Sequence, residues 1–331
     1  MLCGVSDWSM VKTFGDNQFE WLKKFGTFSK GIPSTDTLER VFCALDAKSF
    51  NKCFIKWIEA IRQDIKGETI AIDGKTMRGA KLKKNSKNMP HIVSAFAKEN
   101  GLCLGQVKTS EKSNEITAIP DLLELLALKG CTVTIDAMGC QKDIAARIID
   151  KNADYILAVK GNQGNLERAI LDTRKLEEPC SVHKWEDVGH GRIETRTCKA
   201  FSNLSHVESV ETWKELKTIF VIESEVYKKS SGETTTETRS YISSHEANAR
   251  LLNEKTRNHW AVENNLHWTL DVTFGEDASR KRKGQAPENF NILLKTALTL
   301  LVNDQTPKLS KKRKRLQAAL NTKYREKLLG F

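Results

Sequence analysis

Three carboxylates could act together in this chain. Asp73 follows an apolar, β-branched run in TIAIDGK, and Asp136 follows a second such run in CTVTIDA. Runs of this kind form buried strands, so each Asp is expected at the end of one. A third acid is expected downstream, in RNHWAVENNLHWTLDVTFGED, where Trp260, Glu263, His267 and Asp271 recur every three or four residues. That spacing places them on one face of a helix. A buried helix face does not ordinarily hold two acids and a histidine. Glu263 is the candidate third acid and Asp271 the reserve, while Glu276 and Asp277 are expected to face solvent. Trp260 and Trp268 alone would be core aromatics. Two acids on neighbouring strand ends repel unless a cation sits between them, and hard ions such as Mg²⁺ suit oxygen donors without histidine pairs. A lone strand-end Asp caps a turn; the matched pair carries the metal reading.

These acids need a mixed sheet to bring them together. Strands are expected at Thr69–Asp73, His91–Ala97, Leu102–Val107, Cys131–Ala137 and Tyr155–Val159, with helices over Ile116–Leu128, Gln141–Ile149 and from about Leu166. Glu99-Asn100-Gly101 reads as a hairpin turn, and Lys81–Asn88 as a polar loop. The fold class is α/β, and acids at adjacent strand ends converge outside the sheet edge. Residues 1–66 read as a small helical module: Asp36 with Glu39 suggests a capping box, and Phe50, Cys53, Phe54, Trp57, Ile58 and Ile61 form an apolar stripe. The core then runs over 67–178 and resumes over 245–305. Residues 179–244 read as a β-rich insertion, with strands at 192–201, 217–227 and 234–242. Residues 306–331 read as a basic tail.

With 331 residues, 39% of them hydrophobic and 29% charged, the chain is long enough for an unstapled core. No stretch approaches the roughly 20 apolar residues of a membrane helix. MLCGVSDWSM lacks the features of a secretion signal, so a cytoplasmic, nucleoid-associated location is expected, without membrane partners. The nearest cysteine pairs, Cys131 with Cys140 and Cys43 with Cys53, are too widely spaced for C-x-x-C zinc sites, and the eight cysteines read as small core residues. A net charge of +11 favours a polyanionic partner. Arg280, Lys281, Arg282 and Lys283 form one basic cluster, expected to bind phosphate. Lys311 to Arg315 form another, which alone reads as a solvated tail.

The segments IAIDGKTMRGA, TIDAMGCQ, AVKGNQG, GHGRIETR and HWAVENNLHWTLDVTFGEDASR resemble, in that order, bacterial insertion-sequence transposases of the H-repeat-associated, ISAs type in the DDE superfamily. GIPSTDTLERVF resembles the domain accompanying that catalytic core. The resemblance implies an RNase H-like fold, with Asp73, Asp136 and Glu263 on the catalytic triad and the β-rich stretch on an inserted domain. It further implies in-line phosphoryl transfer with two Mg²⁺ or Mn²⁺ ions about 3.5–4 Å apart, Asp73 bridging both. Element ends and target DNA are the implied partners, handled by a homodimer or larger synaptic assembly. Lys75, Lys160, Gln163, Arg192, Arg257, Trp260 and His267 join the Arg280–Arg282 cluster as candidate DNA contacts, with His190 and Arg196 weaker candidates. His267 is placed to orient Glu263 or a scissile phosphate. The chain departs from a Tyr-Arg-Glu-Lys signature found in many related elements: Trp260 and Leu270 stand at its outer positions, leaving the phosphate-gripping lysine unassigned. The family usually has a further helical stretch before MLCGVSDW, so an alternative start and a truncated copy both remain open. A stand-alone RNase H-like nuclease and an inactive DNA-binding remnant are the alternative functions.

Overall fold

The computed structural model describes the chain except for residues 82–88, 111–113, 190 and 307–308. Most of the expected Lys81–Asn88 loop, and His190, therefore lie outside the described residues.

Parallel and antiparallel pairing meet at β1 (Thr69–Thr76). It pairs antiparallel with β2 (His91–Ala97) on one side and parallel with β4 (Thr132–Ile135) on the other. With β3 (Leu102–Lys108) and β5 (Asp154–Val159), the order β3-β2-β1-β4-β5 forms the RNase H-like half of the sheet. Thr69 to Ile72 are completely buried, as expected of a central strand covered on both faces. Helices α5 (Glu115–Leu125) and α6 (Lys142–Asp150) cover one face; α8 (Ala249–His259), α9 (Trp268–Phe274) and α10 (Ala286–Asn303) cover the other.

Residues 181–243 continue the same sheet. β6 (Ser181–Gly189), β7 (Arg192–Phe201), β8 (Thr218–Lys228) and β9 (Thr234–Ser243) form an antiparallel meander whose last strand pairs with β5. The sheet thus has nine strands, and α7 (Gly164–Leu176) packs on β8 and β9. The sequence pattern missed β6, each of whose faces mixes apolar and charged residues: Val182, Lys184, Glu186 and Val188 on one, His183, Trp185 and Asp187 on the other.

The N-terminal helices are α1 (Trp8–Asn17), α2 (Phe19–Leu22), α3 (Thr35–Ala44) and α4 (Ala47–Ile61). Ser34 caps α3 by accepting from the Thr37 N–H at 3.2 Å, so the helix starts before the expected Asp36–Glu39 box. On α4, Phe54, Ile55 and Ile58 are the buried apolar positions near its core side, while Cys53 and Ile61 of the expected stripe are exposed. Asn51 donates to the Gln106 carbonyl at 2.8 Å, satisfying backbone on the edge strand β3. The basic C-terminal segment is no solvated tail: it forms α11 (Lys311–Leu320) and α12 (Thr322–Leu329), with Lys314, Arg315 and Arg325 buried. Trp21 Nε1 donates to Glu326 at 2.9 Å, joining the two ends of the chain. All eight cysteines are free, and Cys53 and Cys180 are exposed rather than in the core. No described helix is long and apolar enough to cross a membrane.

Candidate active site

Asp73 owes its position to unequal pairing of β1. Parallel pairing with β4 ends at Ile72 opposite Ile135, whereas antiparallel pairing with β2 continues through Asp73 opposite Ser94 to Thr76 opposite His91. The residue is therefore mid-strand rather than at the strand end expected from sequence. Rigid backbone holds one flank, and the other faces the end of β4. Asp136 is the first residue beyond β4, and its carboxylate accepts from the backbone N–H groups of Met138 at 3.1 Å and Gly139 at 3.4 Å. This anchors the acid at the mouth of a tight turn.

Glu263 and His267 lie in a π-helical segment, Val262–His267, joining α8 to α9. Such widened turns are uncommon and recur at functional sites. His267 Nδ1 lies 3.3 Å from Asp73 Oδ2, so the histidine orients Asp73, not Glu263. Its Nε2 is buried without a partner among the described residues. Asp136 and Glu263, with Lys160, Arg239, His259 and Trp260, help line a cleft of about 480 Å³ between α8 and strands β4, β5 and β9. Asp73 is not part of that lining.

The three acids differ electrostatically. Burial pushes Asp73 up, but the His267 hydrogen bond and the charges of His267 and His259 outweigh it and hold the carboxyl below its ordinary range. Asp136 is raised, first by burial and then by the charges of Glu115 and Asp73. Glu263 is likewise raised by burial and by Asp73. Burial lowers His259, whose Nδ1 lies 2.9 Å from Thr134 Oγ1. The carboxylates thus feel one another's charge.

Several expected DNA contacts are engaged within the chain. Lys75 forms ion pairs with Asp271, Glu276 and, at 3.6 Å, Asp277. Asp271 therefore serves Lys75, and Glu276, 1% exposed, is buried rather than solvent-facing. Arg257 stacks over Trp185 at 3.8 Å and approaches Asp187 at 3.4 Å. Lys281 donates to the Ser6 carbonyl at 2.6 Å and lies over Phe290, and burial pushes its ammonium down to about 8. Gln163 ties its loop to the Cys140 carbonyl at 2.9 Å. Arg280, Arg282 and Arg192 are exposed, although Arg282 Nε also donates to Gly79 and Arg192 approaches Glu194. Trp260 lies in the cleft, whereas Trp268, expected in the core, is 59% exposed. Arg196 is buried beside Asn253.

Sequence reading missed Arg239 and Glu115. Arg239 lies over the Trp260 ring at 5.0 Å and pairs with Glu237 at 2.8 Å. Period-two alternation of Glu237, Arg239 and Tyr241 marks one strand face, but the order of β9 in the sheet was not legible. Glu115 follows the N-cap Asn114, so it resembles an ordinary first-turn acid.

A mixed sheet of this order, with one acid on its central strand β1, a second just past the end of the neighbouring β4 and a third on the helical segment packed against β1, defines an RNase H-like chain. The family model described as Transposase DDE domain matches residues 64–300, and another, described as DDE_Tnp_1-associated, matches residues 1–58. The chain belongs to the DDE transposase family. It is 45% identical over 343 residues to "Putative transposase YncI" of Escherichia coli O157:H7, covering 100% of this chain and 86% of that one. It is 38% identical over 339 residues to "H repeat-associated putative transposase YhhI" of Escherichia coli (strain K12), covering 100% and 89%. The H-repeat-associated resemblance is thus borne out. A solved structure, the piggyBac transposase synaptic complex with hairpin DNA, aligns with a TM-score of 0.45 at 9% identity, covering 99% of this chain and 83% of that one.

The family's chemistry generally uses divalent metal. The all-oxygen donor set of Asp73, Asp136 and Glu263 fits Mg²⁺ or Mn²⁺, and burial followed by neighbouring negative charge, that of Asp73 included, raises both other acids. No three acidic, histidine or cysteine side chains among the described residues already form a metal-holding group. The fit is one of donor chemistry and charge, not of a preformed cage.

Proposed function

We propose that the chain is an insertion-sequence transposase that cleaves DNA at element ends and transfers the cut strand to a target. The observation carrying this reading is the set of carboxylates at the β1–β4 edge, two of which open onto a cleft that also holds Lys160, Arg239 and Trp260.

Asp73, Asp136 and Glu263 would hold Mg²⁺ or Mn²⁺, which when bound supplies activation of the attacking oxygen and stabilisation of the leaving one. His267 fixes the Asp73 carboxylate, while the backbone N–H groups of Met138 and Gly139 fix that of Asp136. Lys160 and Arg239 are placed for phosphate contact and Trp260 for stacking, with Arg280, Arg282 and Arg192 contacting more distant backbone. The reaction joins two DNA ends, so a homodimer or larger synaptic assembly is part of the proposal.

The test incubates the full chain with element-end DNA, target DNA and Mg²⁺ or Mn²⁺. Cleaved and joined products are expected. Asp73→Ala should cut the rate about a thousandfold or more with its unfolding curve preserved. Undiminished cleavage by this variant removes the assignment, and cleavage without joining makes the chain a nuclease.

A further inference from the structure

The sheet ends at β6, and no other described strand pairs with its outer edge. Pairing with β7 uses alternate backbone groups along Ser181–Gly189, in unbroken register, so the remaining N–H and C=O groups point outward. Such a row is a template for another strand, and neither a proline nor a bulge interrupts it. Charges ordinarily blunt an edge, but here their order is complementary to itself. In an antiparallel pair centred on Trp185, Val182 falls opposite Val188 of a second copy, His183 opposite Asp187 and Lys184 opposite Glu186, with the two Trp185 side chains at the axis. Directly opposed residues share a face of the sheet, so every one of these pairs can meet, and no like charges do. Val182 and Val188 are 56% and 63% exposed, and Lys184 and Glu186 beside them pair with each other at 2.8 Å. On the other face Asn253 and Arg257 of α8 hold His183, Trp185 and Asp187 in place.

We propose that β6 takes up β6 of a second copy of this chain by antiparallel strand addition, about a twofold axis through Trp185, so that two nine-stranded sheets become one. The proposal gives the assembly in the reading above its contact surface, and it rests on that reading only for its purpose. A twofold axis relating antiparallel edge strands runs perpendicular to the sheet, so α8 lies on the same face in both copies. The cleft beside α8, with Asp136 and Glu263, therefore opens to the same side twice. That suits an assembly that brings two DNA ends together.

Sedimentation equilibrium of the full chain, without DNA or metal, tests this. Wild type should pass from monomer to dimer mass as concentration rises. Glu186→Lys sets lysine opposite lysine at both symmetry-related positions and should weaken association about tenfold or more. Exchanging the charges, Lys184→Glu with Glu186→Lys, restores opposite signs across the axis and should associate within about threefold of wild type. Thermal unfolding should show both variants folded, because the altered side chains are exposed. A wild type that stays monomeric overturns the proposal and leaves the edge to a different strand. A dimer indifferent to Glu186→Lys, or a charge exchange that fails to restore association, overturns it as well. Monomers that nonetheless join DNA ends remove this surface and leave the transposase reading standing, whereas β6 dimers that neither cleave nor join DNA keep the surface and remove that reading.

Discussion

Two groups of acids lie along the same face of β1, only two residues apart on that strand. Asp271, Glu276 and Asp277 gather around the ammonium of Lys75, and Asn291 donates to the second oxygen of Glu276. Among the described residues, Asp73, Asp136 and Glu263 form no ion pair with a lysine or arginine, although Lys160 and Arg239 share the cleft with Asp136 and Glu263; Asp73 has the His267 ring 3.3 Å away. The first group carries its own cation and is closed. In the second, Asp136 and Glu263 are raised by burial and neighbouring negative charge, which a cation from outside would relieve. The same residue types therefore do opposite work, and the sequence distance between Asp73 and Lys75 says nothing about which is which.

Breaking the closed group should have the largest effect. Lys75→Met strands Glu276, whose side chain is fully buried, and should cost about 3–5 kcal/mol of stability in urea unfolding. Burial works to lower Lys75, but Glu276 and Asp271 pull it above its ordinary value. A raised lysine contributes its full stabilisation below its unfolded pKa of about 10.4 and loses it as pH rises through the higher folded value. The gap between wild type and Lys75→Met should therefore stay flat from neutral pH to about 10, then close. Coincident unfolding curves at neutral pH would erase the distinction between the groups.

An intermediate effect is expected in the open group. His267→Gln frees the Asp73 carboxylate without removing an acid, and should weaken Mn²⁺ binding about tenfold while shifting stability by less than about 1 kcal/mol. A large stability loss with unchanged Mn²⁺ affinity would make His267 a packing residue.

How much of this was legible depended on whether a signal was local. The buried runs before Asp73 and Asp136 gave both strands and both acids, because a strand covered on both faces reads as a continuous apolar stretch. Glu263 and His267 were marked by helical spacing. The partners were not legible: Lys75 meets Glu276 across 201 positions of chain, so an acid that spacing assigned to solvent is buried by a contact no periodicity encodes. The meander's place in the sheet was hidden for the same reason, since pairing of β9 with β5 joins segments separated by α7 and three strands. Arg239 became part of the cleft only through that pairing. Glu115 was hidden differently, because an acid in the first turn of a helix has an ordinary explanation.

The smallest effect should come from Asp271, the reserve candidate for the third acid. Its carboxylate is partly exposed, and Lys75 keeps Glu276 and Asp277 when it is removed. Asp271→Asn should thus cost at most about 1 kcal/mol in unfolding. It should leave Mn²⁺-dependent cleavage within about threefold of wild type, because Asp271 faces Lys75 and does not line the cleft with Asp136. Glu263→Gln, assayed beside it, should abolish cleavage with little change in stability. If Asp271→Asn instead abolished cleavage and Glu263→Gln did not, the third acid would belong to the group around Lys75, and Lys75 would have to release a carboxylate for the site to work.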